Sequence, residues 1–318
     1  MKIADDKHYL LFSGLAVGVI LALVAVFNYV VDPYNLLGNN RTGAYFVLER
    51  QVKDAILTYK HEGILLGSSK TGYVNPDELS CYRFYNASMR GMVPEEMYFY
   101  LKKYLRNEKL VLIGFDFYMF NERELPLVRI NDWNDVRYTK VEYLLGAQTV
   151  KDSWKTLKMR FNNEKKYGMK PNGQFDYPGI STESASAGPN SYEQKYNKII
   201  RGLVENYYDH FSFSQKRMDY VRQIKALLEE RGIPYAVFIN PLNTDVLVAL
   251  QNIKAYSRYL SWRQEMKEIF PKFYDYSEGR YSAREGFYLE DPYHYTQDTG
   301  RAFLNEIIGD FCVHKSEP

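Results

Sequence analysis

The chain has 318 residues, 41 basic and 39 acidic, and its formal net charge of +2 is spread along its length. That balance gives no electrostatic ground for a nucleic-acid partner, and the length less a membrane segment leaves roughly 280 residues, enough for one sizeable core. Two cysteines, Cys81 and Cys312, are too few for a disulfide framework or a zinc cluster, and they pair only if the fold brings them together. Aromatic content reaches 16%, led by 30 tyrosines; Tyr has a flat apolar face and a hydroxyl tip of the kind that lines carbohydrate grooves, although an ordinary tyrosine-rich core has the same composition.

From Tyr9 to Val31 the chain runs 23 residues without a formal charge, long enough to cross a bilayer as a helix. Its exit is Val-Val-Asp-Pro-Tyr, without a small-residue cleavage pattern or a nearby cysteine for lipidation, so the segment reads as an uncleaved anchor. Lys2 and Lys7 lie on the short N-terminal side, while Arg41 and Arg50 are farther from the membrane edge. The positive-inside rule then puts the N-terminus in the cytoplasm and everything after Asp32 outside it. Residues 1–34 are thus expected to be a short cytoplasmic tail and an anchor that crosses a membrane once.

Asn35 to Gly43 is turn-rich, and Ala44 to Lys60 has helical spacing, which predicts a stalk helix within residues 35–60. Gly63 to Gly67 is a short apolar run ending in small residues, the pattern of a buried parallel strand opening into a loop. Arg83 to Asn86 is a second strand, Pro94 to Arg106 a helix with Pro in its first turn, and Lys109 to Phe117 a third strand. Residues 121–212 interrupt the alternation and read as an insertion, with a helix around Val141 to Arg160 and a Gly-, Pro-, Ser- and Asn-rich stretch from Gly168 to Ser191. Regular patterning resumes with a helix from Ser214 to Arg231, a strand from Tyr235 to Asn240, a helix from Thr244 to Ile269 and a strand from Phe273 to Tyr276. Thr296 then caps a final helix to Phe311. Alternating strands and helices predict an α/β fold, a three-layer sandwich around a parallel sheet, over residues 61–318. Ligands of such sheets collect at the C-terminal ends of the strands, where Ser69, Gly91 and Asp116 fall.

The chemistry is concentrated in two motifs. Gly67-Ser68-Ser69 follows the first strand, so Ser69 can stand at the sheet edge while its own amide faces an oxyanion. Asp291-Pro292-Tyr293-His294 places an Asp three residues before a His, so that one short loop presents a base and the carboxylate that orients it. Of the five histidines, His8 is at the membrane edge, His61 precedes the first strand, His210 is within the insertion and His314 is in the tail, which leaves His294 for the base. Ser69-Lys70-Thr71 does not fit a phosphate-binding loop, whose Lys directly follows its second Gly. A Ser-Lys dyad through Lys70 fails because neighbouring side chains diverge from a loop. No cofactor or metal is expected.

These residues resemble the SGNH (GDSL-like) hydrolase superfamily. Gly67-Ser68-Ser69 is similar to its first block, Gly91 within Asn86 to Gly91 to its glycine block, and Asp291 to His294 to its final Asp-x-x-His block, over roughly residues 61–311. Among its members the chain is similar to membrane-anchored bacterial types such as the teichoic acid D-alanine transfer protein and polysaccharide O-acetyltransferases. The resemblance implies an SGNH, flavodoxin-like sheet, a Ser69-His294-Asp291 triad and an oxyanion hole at the amides of Ser69 and Gly91. It also implies a multispanning membrane acyltransferase as acyl donor. The family's third block usually offers an Asn, whereas the matching strand here ends Gly114-Phe115-Asp116-Phe117. An ionised Asp cannot donate, so Asn86 or a residue such as Asn121 becomes a candidate third donor, and losing one such donor costs on the order of 3 kcal/mol. Three functional expectations follow: an O-acyltransferase, most simply an acetyltransferase, acting on a cell-surface or secreted polysaccharide; an esterase using the same residues; and a non-catalytic anchored scaffold.

Overall fold

A computed structural model describes residues 2–125, 130–162, 168–176, 189–288 and 291–312. Its elements in chain order are α1 (Lys2–Val31), α2 (Glu49–Val52), β1 (Gly63–Leu66), α3 (Ser69–Gly72), β2 (Phe84–Asn86), α4 (Pro94–Tyr104), β3 (Leu110–Phe115), α5 (Lys140–Leu145), α6 (Ala147–Phe161), β4 (Gly168–Met169), β5 (Phe175–Asp176), α7 (Pro189–Tyr207), α8 (Gln215–Glu230), β6 (Tyr235–Ile239), α9 (Thr244–Gln251), α10 (Ala255–Ile269), β7 (Phe273–Asp275), β8 (Phe287–Tyr288), β9 (Asp291–Tyr295) and α11 (Gln297–Gly309). The chain divides into two units, one of residues 1–52 with 136–168, the other of residues 53–135 with 169–318. Part of the stretch read as an insertion, residues 136–168, therefore groups with the N-terminal segment.

In the larger unit five parallel strands form one sheet in the order β2-β1-β3-β6-β7. Numbered among themselves these strands run 2-1-3-4-5, a doubly wound order whose crevice opens where the winding reverses, between β1 and β3. Each strand is apolar almost throughout because both faces are covered. On one face Leu65, Leu112, Ala236 and Phe238 pack against Phe303, Leu304, Ile307 and Ile308 of α11. On the other, Ile64, Val111, Ile113 and Val237 are equally buried. Helices α4 and α8 are joined by a fully buried ion pair, Arg217 to Glu95 at 3.1 Å, and Arg217 also donates to the carbonyls of Asn121 and Leu125. Cys81 and Cys312 form a disulfide across the end of α11.

In the smaller unit α1 carries a 24-residue span, His8–Val31, long and apolar enough to cross a membrane, exposed over most of its length and buried at Asn28 and Val31 near its end. Asp32 ends the helix at φ +44 and accepts hydrogen bonds from the amides of Leu36, Leu37 and Asn39 and from the Tyr143 hydroxyl. A carboxylate collecting amides left over after a helix end is a strong local stop.

Four elements differ from the sequence reading. Residues 44–48 are not helical, and only α2 and a 3-10 turn, Lys53–Leu57, remain of the stalk helix. The helix expected around residues 141–160 is two, broken where Gly146 takes an extended ψ of 130°. The one expected over residues 244–269 is also two, because Asn252 caps α9. The Asp291 to His294 loop is a strand, β9, paired antiparallel with β8; Pro292 is tolerated because a two-stranded sheet has only edges. Residues 177–188 of the Gly168 to Ser191 stretch, and His314, lie outside the described residues.

Candidate active site

β1 ends at Leu66, and Gly67 turns the chain so tightly that a Cβ there would stand 2.3 Å from Thr71 Oγ1 and 3.1 Å from the Gly114 carbonyl. Ser68 caps the short α3, its Oγ accepting from the Lys70 amide, and Ser69 is the first residue of that turn. Ser69 Oγ lies 2.9 Å from His294 Nε2, and His294 Nδ1 lies 2.6 Å from Asp291 Oδ2. A carboxylate can only accept, so Nδ1 carries the imidazole proton and Nε2 turns its lone pair to the Ser69 hydroxyl. The three residues that the sequence singled out, 225 positions apart at the extreme, thus meet in one hydrogen-bonded row.

Burial works to raise the Asp291 carboxyl, but the hydrogen bond and charge of His294, with the amides of Tyr293 and His294, outweigh it and hold the group below its ordinary value. It stays ionised throughout the neutral range. The rings of Tyr73 and Tyr293 meet the imidazole edge-on, at 5.0 and 5.1 Å between centroids, and hem it from two sides.

The row opens into a cavity of about 310 Å³. Tyr73, Tyr118, Tyr207 and Tyr293 form aromatic walls, and Arg90, Gly91 and Leu125 close the remaining side. Burial first pushes the phenols of Tyr118, Tyr207 and Tyr293 up, with the Asp116 carboxylate adding to Tyr118 and Asp291 to Tyr207. They are neutral hydrogen-bonding groups near neutral pH. Gly91 takes φ +58, a conformation that side chains disfavour, and it lines the same cavity as Ser69.

Neither side-chain amide considered for the oxyanion is available to it. Asn86 is fully buried, and its Nδ2 donates to the carbonyls of Thr71 and Val74 at 2.8 and 2.9 Å, holding the α3 turn shut from behind. Asn121 donates to the Tyr207 carbonyl and accepts from the amides of Arg123 and Ser212, which fixes the cavity wall instead.

Asp116 has a role the sequence reading missed. Its Oδ1 is 3.0 Å from Lys70 Nζ, with both side chains almost fully buried, and its Oδ2 accepts from Ser68 Oγ at 2.7 Å and Asn240 Nδ2 at 3.2 Å. Lys70 also faces the Tyr293 ring at 4.6 Å. Asn240 in turn accepts from the Tyr295 hydroxyl at 3.0 Å. A closed ring results: Ser69 to Ser68 through the chain, Ser68 to Asp116, Asn240 and Tyr295 through hydrogen bonds, Tyr295 to His294 through the chain, and His294 back to Ser69. Lys70 and Asp116 sit just past the ends of neighbouring strands, so the charge complementarity could have been found once the order 2-1-3 was known.

A larger cavity, about 670 Å³, is lined by Arg123, His210, Phe211, Phe213 and Lys254 among others, without a hydroxyl held against a base. Among the described residues no three His, Cys, Asp or Glu converge as a metal site. The chain matches no family model, no curated protein and no solved structure.

Proposed function

We propose that this chain is a membrane-anchored O-acyltransferase that carries an acyl group, most simply acetyl, on Ser69 and passes it to a hydroxyl of a cell-surface or secreted polysaccharide. The observation that carries the reading is the row Ser69 Oγ, His294 Nε2, His294 Nδ1, Asp291 Oδ2 at 2.9 and 2.6 Å, the arrangement that lets a serine hydroxyl act as a nucleophile. Ser69 Oγ attacks the acyl carbonyl while His294 Nε2 takes its proton. The donor's leaving group departs with that proton; the acceptor hydroxyl is then deprotonated by the same nitrogen as it attacks the acyl-serine, and the ester bond to Ser69 Oγ breaks as His294 returns the proton to that oxygen. Asp291 keeps the imidazole oriented and stabilises its cationic form. Developing negative charge rests on the amides of Ser69 and Gly91, since Asp116 is engaged by Lys70.

Tyrosine walls around the cavity support a sugar acceptor, because a ring with an apolar face and equatorial hydroxyls matches a flat aromatic surface with polar edges. The α1 span supports a membrane anchor, and the Cys81–Cys312 disulfide supports an oxidising compartment outside the cytoplasm. The resemblance to anchored SGNH proteins supports a multispanning membrane acyltransferase as the source of the acyl group.

The test is incubation of the detergent-solubilised chain with p-nitrophenyl acetate and a panel of oligosaccharides, wild type against Ser69→Ala, read by mass spectrometry. An acetyl adduct on the Ser69 peptide and acetylated sugar are expected from the wild type, and neither from the variant. An adduct discharged only to water would make the protein an esterase. No adduct, with wild type and variant alike, would leave an anchored scaffold.

A further inference from the structure

The strongest feature outside the triad is the outer surface of α6. Around this helix three faces alternate. Thr149, Asp152, Ser153, Thr156 and Met159 are buried. Val150, Trp154, Leu157 and Phe161, at i, i+4, i+7 and i+11, form an apolar stripe beside them, with Trp154 64% and Phe161 84% exposed. Lys151, Lys155 and Lys158 form a basic row next to that stripe, Lys155 being paired with Asp152 at 3.0 Å. An indole and a phenyl ring on one stripe, this open to water, are unusual unless something covers them.

The contacts of α6 say what that is. Asn28 of α1 is fully buried; its Nδ2 donates to the Leu144 carbonyl at 2.8 Å and its Oδ1 accepts from Ser153 Oγ at 2.9 Å. The ring of Trp154 packs on that of Phe27 at 5.3 Å. Residues 27 and 28 lie one turn, about 5 Å, before the end of α1, and the 24-residue span is about 36 Å long against a hydrocarbon core of about 30 Å. Whatever layer receives the last turn of α1 therefore also receives Trp154. That layer is the boundary between acyl chains and headgroups, where Trp side chains collect.

We infer that α5 and α6 form an interfacial collar on the anchor, with Trp154, Phe161 and Val141 dipping into the outer edge of the hydrocarbon and Lys151, Lys155 and Lys158 meeting anionic phospholipid headgroups. Val141 of α5 is 66% exposed, which extends the apolar surface beyond one helix. An apolar stripe flanked by lysines is the pattern of helices that lie in a bilayer surface, and each lysine near an anionic surface adds to the attraction. The collar gives the exit of α1 a fixed depth, because Tyr34 donates to Asp152 at 2.5 Å on the buried face of α6 while Asp32 holds Tyr143 of α5.

This inference rests on α1 spanning a membrane, and the experiment separates the two. The full chain is reconstituted in phosphatidylcholine vesicles containing one-fifth phosphatidylglycerol, with either lipid brominated near the headgroup end of its acyl chain. Trp133 and Trp262 are buried, so the emission of wild type minus that of Trp154→Phe isolates Trp154. Resistance to alkaline carbonate with loss of Trp154 emission in brominated vesicles is the expected result. At equal bromine content, quenching by brominated phosphatidylglycerol should exceed that by brominated phosphatidylcholine. In Lys151→Glu/Lys155→Glu/Lys158→Glu that excess should vanish while carbonate resistance stays. Carbonate-resistant chain whose Trp154 is unquenched by lipid and quenched by aqueous iodide would overturn the collar alone. Equal quenching by the two lipids in the wild type would overturn its anionic preference, and release by carbonate would overturn both anchor and collar.

Discussion

Replacing Lys70 with Met removes the one cation from a buried pair that the ring around the triad depends on. Lys70 and Asp116 are 2% and 4% exposed and 3.0 Å apart, so the variant leaves a carboxylate with two hydrogen bonds, from Ser68 and Asn240, and no counter-charge. Breaking such a pair from one side costs about 3–5 kcal/mol; the two remaining donors put the expectation at the lower end, about 3 kcal/mol. For a unit of this size that is a fall in Tm of about 6–12 °C. Lys70→Met/Asp116→Asn removes both charges in nearly the same volume, and most of the loss should return, so the coupling in the double-mutant cycle should be at least about 2 kcal/mol. Thermal unfolding of wild type, both singles and the double reads this directly. The turnover number of the Lys70 variant should also fall, because displacement of a nucleophile by about 1 Å can cost a hundredfold. A double variant no more stable than Lys70→Met, or a single variant within 2 °C of wild type by the same scale, would refute the claim that this pair holds the site.

Asp291→Asn should lower turnover on p-nitrophenyl acetate by up to about 10⁴-fold, since an amide can hold the imidazole in the wrong tautomer. The folded pKa of Asp291 is depressed, so the stability it contributes is full above its unfolded value near 4 and lost as pH falls through the lower folded value. The Tm difference between wild type and Asp291→Asn should therefore be flat from pH 5 to 8 and shrink towards pH 2–3; a difference that grows on acidification would contradict the assignment. Reducing the Cys81–Cys312 bridge, which spans 231 positions, should cost up to about 5 kcal/mol by chain entropy, and equal denaturation midpoints with and without reductant would refute it. At Gly91 an added Cβ has room, its nearest neighbour being Leu125 Cδ2 at 4.0 Å, so Gly91→Ala pays only the left-handed backbone, about 1–2 kcal/mol. The variant keeps its backbone N–H, so Tm should fall while kcat changes little, and a Tm equal to that of the wild type would refute the strain at this position.

The sheet was legible because buried parallel strands leave a plain mark: Gly63 to Leu66, Leu110 to Phe115 and Tyr235 to Ile239 are unbroken apolar runs closed by small or polar residues. The row of Ser69, His294 and Asp291 was legible because His8 stands at the membrane edge, His61 before the first strand, His210 within the stretch read as an insertion and His314 in the tail, which left His294, with Asp291 three residues before it. What escaped notice depends on pairings remote in sequence. The breaks at Gly146 and Asn252 lie inside stretches that keep helical spacing, and a single residue that fits a helix as well as a cap gives no warning. β9 was hidden by Pro292, which reads as a breaker until its partner strand is seen to leave that edge open. The stalk misled because the Ala44 to Val47 stretch matches a helix in spacing, while in the structure the Phe46 amide donates to the Pro33 carbonyl.

Asp116 bears on the proposed chemistry in a way its residue type conceals. Read as a replacement for an amide donor it is a defect, since a carboxylate at an oxyanion hole would repel the charge that develops there. Placed against Lys70 it is neutralised, and through Ser68 it holds the residue whose successor supplies both the nucleophile and one of the two proposed amide donors. Its other hydrogen bond leads through Asn240 and Tyr295 to the residue after His294, so the same carboxylate references the base to the nucleophile. A side-chain donor stabilises an oxyanion directly; a rigid frame does so by keeping backbone amides where the charge appears, and preorganisation of that kind is the larger part of such stabilisation. On the proposed reading the chain has exchanged one donor for stiffness, which makes the ion pair, rather than a further hydrogen bond to substrate, the feature on which the activity of Ser69 depends.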